Sequence, residues 1–232
     1  FSEAHYNIAN IYRDSGKPRS AIDSYTETLK LRPDFSEAHN NMGLALRDIG
    51  DLEGALASYK LALKYKPDYA DPYCNIAIAL NEQADPQGAI KWYKRALEIE
   101  PNHAESYINM GVLFGELGDS TAAQRCYKKA LEIEPNHAEA HLNMALELLK
   151  DQQFNEGFSL YEWRSKTKER ARTQLKSSKR RWNGEINQTV FLWSEQGIGD
   201  VIMFSSMVSE LHAVCSKLII QCDKRLVPLF ER

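Results

Sequence analysis

The chain repeats itself every 34 residues. The decapeptide ALEIEPNHAE stands at residues 96–105 and, unchanged, at residues 130–139. Prolines keep the same spacing, at Pro33, Pro67, Pro101 and Pro135. A period of about 20–50 residues is typical of arrays of stacked units, none of which can bury its apolar face without a neighbour. The sequence therefore predicts a row of packed repeats whose core forms between them.

Each period is predicted to form a helix, a turn and a second helix. Residues 36–48 carry apolar side chains at helical spacing, Gly50 and Asp51 interrupt them, and residues 52–66 resume the pattern until Pro67 ends it. Small residues recur where the two helices would approach closely, at Gly43, Ala77, Gly111 and Ala145 in the first helix and at Ala21, Ala55, Ala89 and Ala123 in the second. Aromatic residues follow four positions after the second set, at Tyr25, Tyr59, Tyr93 and Tyr127. Burial of each ring contributes roughly 1.5–3 kcal/mol of stability. Because every unit is predicted to be helix, turn and helix, the predicted fold class is mainly α.

This register resembles the tetratricopeptide repeat. The family's pattern of small, small, aromatic, small and Pro is matched in the second unit by Gly43, Ala55, Tyr59, Ala62 and Pro67. The resemblance covers residues 1–164 and implies an α-solenoid, a right-handed superhelix of five repeats, at residues 2–35, 36–69, 70–103, 104–137 and 138–164. In the fifth, Gly157 replaces the second-helix alanine, Arg164 replaces the next small residue, and no proline follows. We expect the array to end there.

One polar residue keeps the period without a lapse. The positions are Asn7, Asn41, Asn75, Asn109 and Asn143. The array resembles the superhelical repeats of O-linked N-acetylglucosamine transferases, in which such asparagines line the concave groove. That resemblance implies that the carboxamides hold the backbone of an extended peptide. The alternative is that each asparagine bonds to a neighbouring repeat or to water; both interpretations stand at this point.

Other residues on the same predicted face indicate the kind of partner. The face carries the acidic residues Glu37, Asp71, Glu105 and Glu139 and the apolar residues Leu44, Ile78 and Val112. These favour a partner segment with some basic and some apolar side chains. The predicted function is a protein–protein interaction scaffold. A metal site is not predicted, because Ala138 stands where a zinc-protease helix would need a glutamate between His137 and His141.

Charge, cysteine spacing and hydropathy limit the other classes of function and location that the sequence allows. Net charge is −3, yet residues 162–181 hold nine basic residues against two acids. We interpret residues 165–188 as a solvated basic linker; nucleic-acid binding is disfavoured because Trp182 is the one aromatic side chain among its basic residues. The four cysteines, Cys74, Cys126, Cys215 and Cys222, show no CxxC spacing, which predicts reduced thiols. No apolar run is long enough to span a membrane, and we expect a cytoplasmic protein.

After the basic stretch the pattern changes to strands and turns. Residues 189–193 (TVFLW) and 217–222 (KLIIQC) are β-rich, and residues 201–215 between them have helical spacing. This order predicts a βαβ unit at residues 189–232, the beginning of an α/β domain with a parallel sheet. A doubly wound sheet needs several more units, so we expect the chain to stop inside a domain. An unfinished sheet would leave a strand edge for self-association.

The loop in this region resembles a catalytic one. The residues WNGE (182–185), EQGIGDVIMF (195–204) and GFSLYEWR (157–164) look like the junction in bacterial proteins that join tetratricopeptide repeats to a two-lobed GT-B glycosyltransferase domain. The further similarity to heptosyltransferases implies that Asp200 is a general base and that Gly197 and Gly199 let the backbone approach a ligand. The alternative is that Asp200 only caps a helix and the glycines only serve the turn. Because Ile202 occupies the third glycine of GxGxxG, no dinucleotide site is predicted.

The two resemblances together imply that the repeats and the segment after them have different functions. The repeats would be the substrate-recognition part of a larger glycosyltransferase that uses a nucleotide sugar, while this chain itself would hold no cofactor. Because the donor lobe of a GT-B fold lies in its C-terminal half, we predict that these 232 residues alone have no transferase activity. The alternative is a stand-alone adaptor with no catalytic role.

Overall fold

A computed structural model describes residues 1–167, 185–193 and 208–221. The chain divides into two units, Phe1–Arg164 and Ser165–Arg232. The residues predicted as the ligand loop and catalytic base, Gly197, Gly199 and Asp200, lie outside the described residues, as do most of the basic linker and Cys222. No helix among the described residues is long and apolar enough to cross a membrane.

The described part of the first unit is built from five pairs of α-helices. They are α1 (Ser2–Asp14), α2 (Pro18–Leu31), α3 (Ser36–Asp48), α4 (Leu52–Tyr65), α5 (Ala70–Glu82), α6 (Pro86–Ile99), α7 (Ala104–Glu116), α8 (Ser120–Ile133), α9 (Ala138–Lys150) and α10 (Phe154–Tyr161). A 3₁₀ turn, Glu162–Lys166, follows the last helix. The two helices of each pair pack against each other, and each second helix packs on the first helix of the next pair.

The core between paired helices is an aromatic ring against a small residue. Tyr59 is fully buried against Gly43, and a Cβ atom added at Gly43 would overlap its ring. The same contact recurs two repeats later, where a Cβ on Gly111 would lie 2.6 Å from Tyr127 Cε1. The glycines therefore set how closely the two helices of these repeats approach.

The turn inside each repeat uses a left-handed residue. The backbone has positive φ at Gly16, Gly50 and Gly118, and at the equivalent Ala84 and Gln152. A side-chain cap follows this turn in three repeats, in which Asp51, Asp85 and Asp119 accept the N–H of the residue three positions later. Together the turn and cap fix where each second helix begins.

The first helices of successive repeats also contact one another, and they do so more extensively than the second helices do. In a curved stack the helices on the inner side are the ones that approach each other. The face on which α1, α3, α5, α7 and α9 meet is called the groove below. It carries the asparagine ladder, Asn7, Asn41, Asn75, Asn109 and Asn143.

The described residues of the second unit form two short strands and a short helix. Strand β1 (Thr189–Trp193) pairs in parallel with β2 (Lys217–Gln221), from Thr189 opposite Lys217 to Trp193 opposite Gln221. Helix α11 (Val208–Val214) precedes β2. The interpretation of these elements as the beginning of an α/β domain stays a prediction.

Candidate functional site

The asparagine ladder places one carboxamide on each first helix of the array. Each of the five asparagines is the sixth residue of its helix, so the side chains occupy equivalent positions. Asn7 is exposed and the other four are half-buried. The ladder is therefore partly packed between helices and partly open to a ligand.

Three of the five amides bond backwards to the preceding repeat. Nδ2 of Asn41 donates to the Tyr6 hydroxyl at 3.0 Å, and Nδ2 of Asn75 donates to Asn40 Oδ1 at 2.9 Å. Nδ2 of Asn109 is 3.6 Å from Cys74 Sγ. In each case the acceptor lies 35 residues earlier in the chain. The bond to a neighbouring repeat, left open by the sequence, is thus present at these three positions.

These bonds decide which amide atom is available to a ligand. Nδ2 of Asn109 also donates to Glu105 Oε1 at 3.1 Å, and a carboxylate can only accept, so the nitrogen must point there. Oδ1 of Asn75 and of Asn109 accepts no hydrogen bond from any residue of the described ranges. The ladder therefore offers carbonyl oxygens, which accept hydrogen bonds, at its centre.

Asn143 differs from the three bonded asparagines. The residue 35 positions before it is Ile108, which has no polar side chain. Within residues 1–167, no partner holds the Asn143 amide, and the side chain lines a pocket between α7 and α9. At this end of the ladder both the amide nitrogen and the carbonyl oxygen are available.

Two of the acidic residues at the second position of the first helices, Glu37 and Asp71, are paired with a basic side chain. Glu37 Oε1 accepts from Lys66 Nζ at 3.1 Å; burial raises the pKa of Glu37, but hydrogen bonds from its backbone and from Lys66 more than offset this and hold the pKa below its usual value. Asp71 Oδ1 lies 2.9 Å from His103 Nε2, and this hydrogen bond lowers the pKa of Asp71 and raises that of His103. These pairs fix the orientation of the two carboxylates. The first helices as a group still carry more acidic than basic residues.

Charge is divided between the two kinds of helix. The five first helices together carry more acids than bases. The second helices α4, α6 and α8 carry eight cations against three acids, the cations being Lys60, Lys64, Lys91, Lys94, Arg95, Arg125, Lys128 and Lys129. The face formed by the first helices is therefore acidic, and the second helices α4, α6 and α8 are basic.

The recurrent histidines act in the turns between repeats. His137 Nδ1 accepts the Ala140 N–H at 3.2 Å and caps α9, while His141 Nε2 donates to the Pro135 carbonyl at 2.8 Å. The His141 ring also stacks on Trp163, with centroids 3.9 Å apart. No group of three His, Cys, Asp or Glu residues in the described ranges is placed to hold a metal ion.

Sequence reasoning missed two features of this face. One is the Asp71–His103 pair, which joins two repeats and was concealed because His103 recurs with the turn. The other is Glu147, a buried acid whose sequence signal was that the four equivalent positions in the other repeats are all apolar.

Comparison with known families and structures supports the repeat assignment. Three family models, each described as tetratricopeptide repeat, match residues 6–70, 68–136 and 126–157. No curated protein matches the sequence.

Solved structures show the same fold at low sequence identity. MamA is 23% identical, with a TM-score of 0.57 over 72% of this chain and 98% of its own. A thermophilic tetratricopeptide repeat protein of Thermus thermophilus is 20% identical, with a TM-score of 0.64 over 75% and 94%. YrrB, described as having an unusual peptide-binding site, is 18% identical, with a TM-score of 0.50 over 70% and 84%.

Proposed function

The chain is a tetratricopeptide repeat protein, and on that premise we propose that it is an interaction scaffold that holds an extended segment of a partner protein in its groove. Proteins of this family mediate protein–protein interaction. The observation that carries the proposal is that the amide nitrogens of Asn41, Asn75 and Asn109 donate to other side chains of the array, while the carbonyl oxygens of Asn75 and Asn109 are open.

The chemistry of the ladder suits a peptide backbone. An extended peptide exposes N–H donors at regular intervals, and open carboxamide oxygens accept them irrespective of the side chains. Apolar residues beside the ladder, such as Leu44 and Ile78, and the surplus of acids would then favour segments with apolar and basic side chains. The scaffold would bind the backbone of an extended segment and would have only a broad preference for its side chains.

The test uses a fluorescent peptide selected from a random-sequence library against the purified chain. Replacing Asn75 and Asn109 together by alanine removes two accepted hydrogen bonds, so we expect the Kd in fluorescence anisotropy to rise about tenfold. The matched control is Asn40→Ala. Asn40 is buried and is the acceptor for Asn75, so this change breaks the same bond between repeats. It also removes the 3.4 Å bond from Asn40 Nδ2 to Asn41 Oδ1, but it leaves the open carbonyl oxygens of Asn75 and Asn109 in place.

The two variants separate recognition from stability. A peptide that binds Asn40→Ala as it binds the wild type, but binds the double variant more weakly, supports the ladder as a recognition element. Equal affinity for all three proteins contradicts it. Equal weakening in both variants would mean that the asparagines act through repeat packing alone.

We further propose that the repeats serve as the substrate-recognition part of a glycosyltransferase. The parallel pairing of β1 and β2, with α11 preceding β2, is the connectivity with which such a domain would begin. In this proposal Asp200 is the general base, Gly197 and Gly199 form the ligand loop, and a nucleotide sugar is the donor.

Two measurements test this second proposal. The intact mass of the native gene product, compared with the 26.5 kDa of this chain, tells whether a donor lobe accompanies the repeats. The native product should consume a nucleotide sugar and lose turnover when Asp200 is replaced by asparagine. A native product without turnover, or one in which Asp200→Asn has no effect, would leave the adaptor function alone. Self-association, nucleic-acid avoidance and a cytoplasmic location stay predictions.

A further inference from the structure

Glu147 is a buried acid at a position that is apolar in every other repeat. It is the tenth residue of α9, and the equivalent residues of the other first helices are Ile11, Ala45, Ala79 and Leu113. The Glu147 side chain is only 6% exposed. Burying a carboxylate is costly unless it is paired and hydrogen-bonded, so the partners of Glu147 define what the position can do.

Gly115 makes the space that Glu147 occupies. A Cβ atom at Gly115 would lie 2.8 Å from Glu147 Oε1 and 3.3 Å from its Cδ. The equivalent residues in the other repeats, Arg13, Arg47, Asn81 and Leu149, all carry larger side chains. Glycine on α7 and glutamate on α9 are therefore fitted to each other across the boundary between two repeats.

The Glu147 carboxylate is only half satisfied by its neighbours. Lys150 Nζ donates to Oε1 at 2.6 Å, but the lysine side chain is 59% exposed and is held by this one bond. Oε2 accepts no hydrogen bond from any residue that the structure describes. One oxygen of a buried carboxylate is therefore open to a further donor.

The open carboxylate lines a pocket of about 580 Å³ in the groove between α7 and α9. Val112, Leu146 and Leu149 supply apolar walls, and Asn143 contributes its unbonded amide. A second carboxylate, Glu116, also lines the pocket, so acids outnumber the single cation Lys150. The pocket thus combines apolar walls with an excess of acceptors and negative charge.

We propose that this pocket binds the side chain of an arginine in the peptide that occupies the groove. The aliphatic stem of arginine would pack against Val112, Leu146 and Leu149, while its planar guanidinium donates to Glu147 Oε2 and to Asn143 Oδ1. The exposed Lys150 can turn into solvent as the guanidinium arrives. This inference rests on the proposed peptide-binding function and names the side chain at one point of the groove.

The probe is acetyl-arginine methylamide, which carries the side chain on one capped residue and has no extended segment to lie along the ladder. With the valine and leucine methyl groups labelled for NMR, we expect its addition at about millimolar concentration to shift the resonances of Val112, Leu146 and Leu149 in a saturable manner. Acetyl-citrulline methylamide has nearly the same shape without the charge and should shift them little. Shifts that are equal for the two compounds would overturn the proposal.

Three variants locate the effect in the pocket. Glu147→Gln should weaken binding of the arginine probe by roughly fivefold or more, because it removes the charge that the guanidinium meets. Gly115→Ala should weaken it comparably without changing any charge. Glu53→Gln removes one acid in the first turn of α4, outside both the groove and the pocket, and should leave the affinity unchanged. Circular dichroism confirms that each variant is folded before it is titrated.

The outcome is separable from that of the peptide experiment. Because the probe has no extended backbone, the Asn75 and Asn109 double variant should bind it as the wild type does. Unchanged affinity in Glu147→Gln would mean that this carboxylate does not hold the cation. Equal losses in Glu147→Gln and Glu53→Gln would mean that the probe follows only the net charge of the chain. In either case the proposal fails even if the ladder binds peptides.

Discussion

The Tyr25 hydroxyl donates a 2.6 Å hydrogen bond to Asn10 Oδ1, which also accepts from Asn41 Nδ2 at 3.1 Å. One repeat later Leu44 takes the place of Asn10, and the equivalent Tyr59 hydroxyl is buried without a partner among the described residues. The same ring therefore sits in a satisfied polar network in the first repeat and in an unsatisfied site in the second. Burial raises the pKa of both hydroxyls, to about 12 for Tyr25.

Replacing each tyrosine by phenylalanine should have opposite consequences. Tyr25→Phe removes the hydrogen bond to Asn10 Oδ1, which then keeps only the bond from Asn41, so we expect the change to lower the free energy of unfolding by about 1 kcal/mol. Tyr59→Phe removes a hydroxyl that gains nothing from its site and should be neutral or slightly stabilising. Urea denaturation of the two variants beside the wild type measures the difference. Equal destabilisation by both changes would contradict the assignment of Tyr59 as unsatisfied.

The left-handed turn residues offer stabilising changes. Ala84 and Gln152 have φ of 61° and 60°, a region in which a Cβ atom is strained. Glycine at either site should raise the free energy of unfolding by roughly 0.5–1 kcal/mol, after allowance for its greater freedom in the unfolded chain. The reverse change, Gly118→Ala, should destabilise by a similar amount. Thermal unfolding compares the three; a loss of stability in Ala84→Gly would show that this turn is not strained.

The helix caps give a second set of changes. The cap residue of α2 is Lys17, which makes no side-chain cap bond, whereas Asp85 accepts the Gly88 N–H at 2.9 Å at the start of α6. Lys17→Asp should therefore stabilise the first repeat, and Asp85→Ala should cost about 1 kcal/mol. Asp23→Ala, in the interior of α2, is a control for the change of charge. Unfolding curves in which Asp85→Ala matches the wild type would argue against the cap.

The bond between Asp71 and His103 makes stability depend on pH. Because Asp71 raises the pKa of His103, the pair contributes fully below the unfolded histidine pKa of about 6.5 and is lost as pH rises through the folded value. The lowered pKa of Asp71 places the acid limit below about pH 3.9. Asp71 is half-exposed, so the contribution should stay below about 1 kcal/mol. Asp71→Asn should accordingly destabilise more at about pH 5.5 than at about pH 9.

A matched control is the pair Glu37 and Lys66. It also joins a first-helix acid to a cation in the turn before the next repeat, but lysine keeps its charge over this range. Glu37→Gln should therefore have the same effect at both pH values. NMR titration should also show the His103 pKa falling in Asp71→Asn; an unchanged pKa would mean that the aspartate does not set it.

Much of the helical array follows from the 34-residue period, because Pro67 and the Gly50–Asp51 turn mark where helices stop and start. The direction of the asparagine amides could not be predicted in this way. It depends on which side chain lies 35 residues earlier across a helix boundary, whether Tyr6, Asn40, Cys74 or the apolar Ile108. The apolar residues at the four equivalent positions are a sequence signal that the Glu147 site is buried, but the room that Gly115 leaves for it on another helix is visible only in the structure. The assignments to Gly197, Gly199 and Asp200 rest on sequence resemblance.

The hydrogen bonds that link Asn41, Asn75 and Asn109 each to a residue 35 positions earlier couple ligand binding to the packing between repeats. An amide whose carbonyl oxygen accepts a hydrogen bond becomes more polarised, and its N–H group then donates more strongly. A segment that engages Asn75 or Asn109 would therefore tighten the joints of these asparagines to Asn40 and Cys74. By thermodynamic reciprocity, any change that strengthens these hydrogen bonds between repeats also raises the affinity for the segment. The array would therefore be stiffer with a segment bound than with the groove empty.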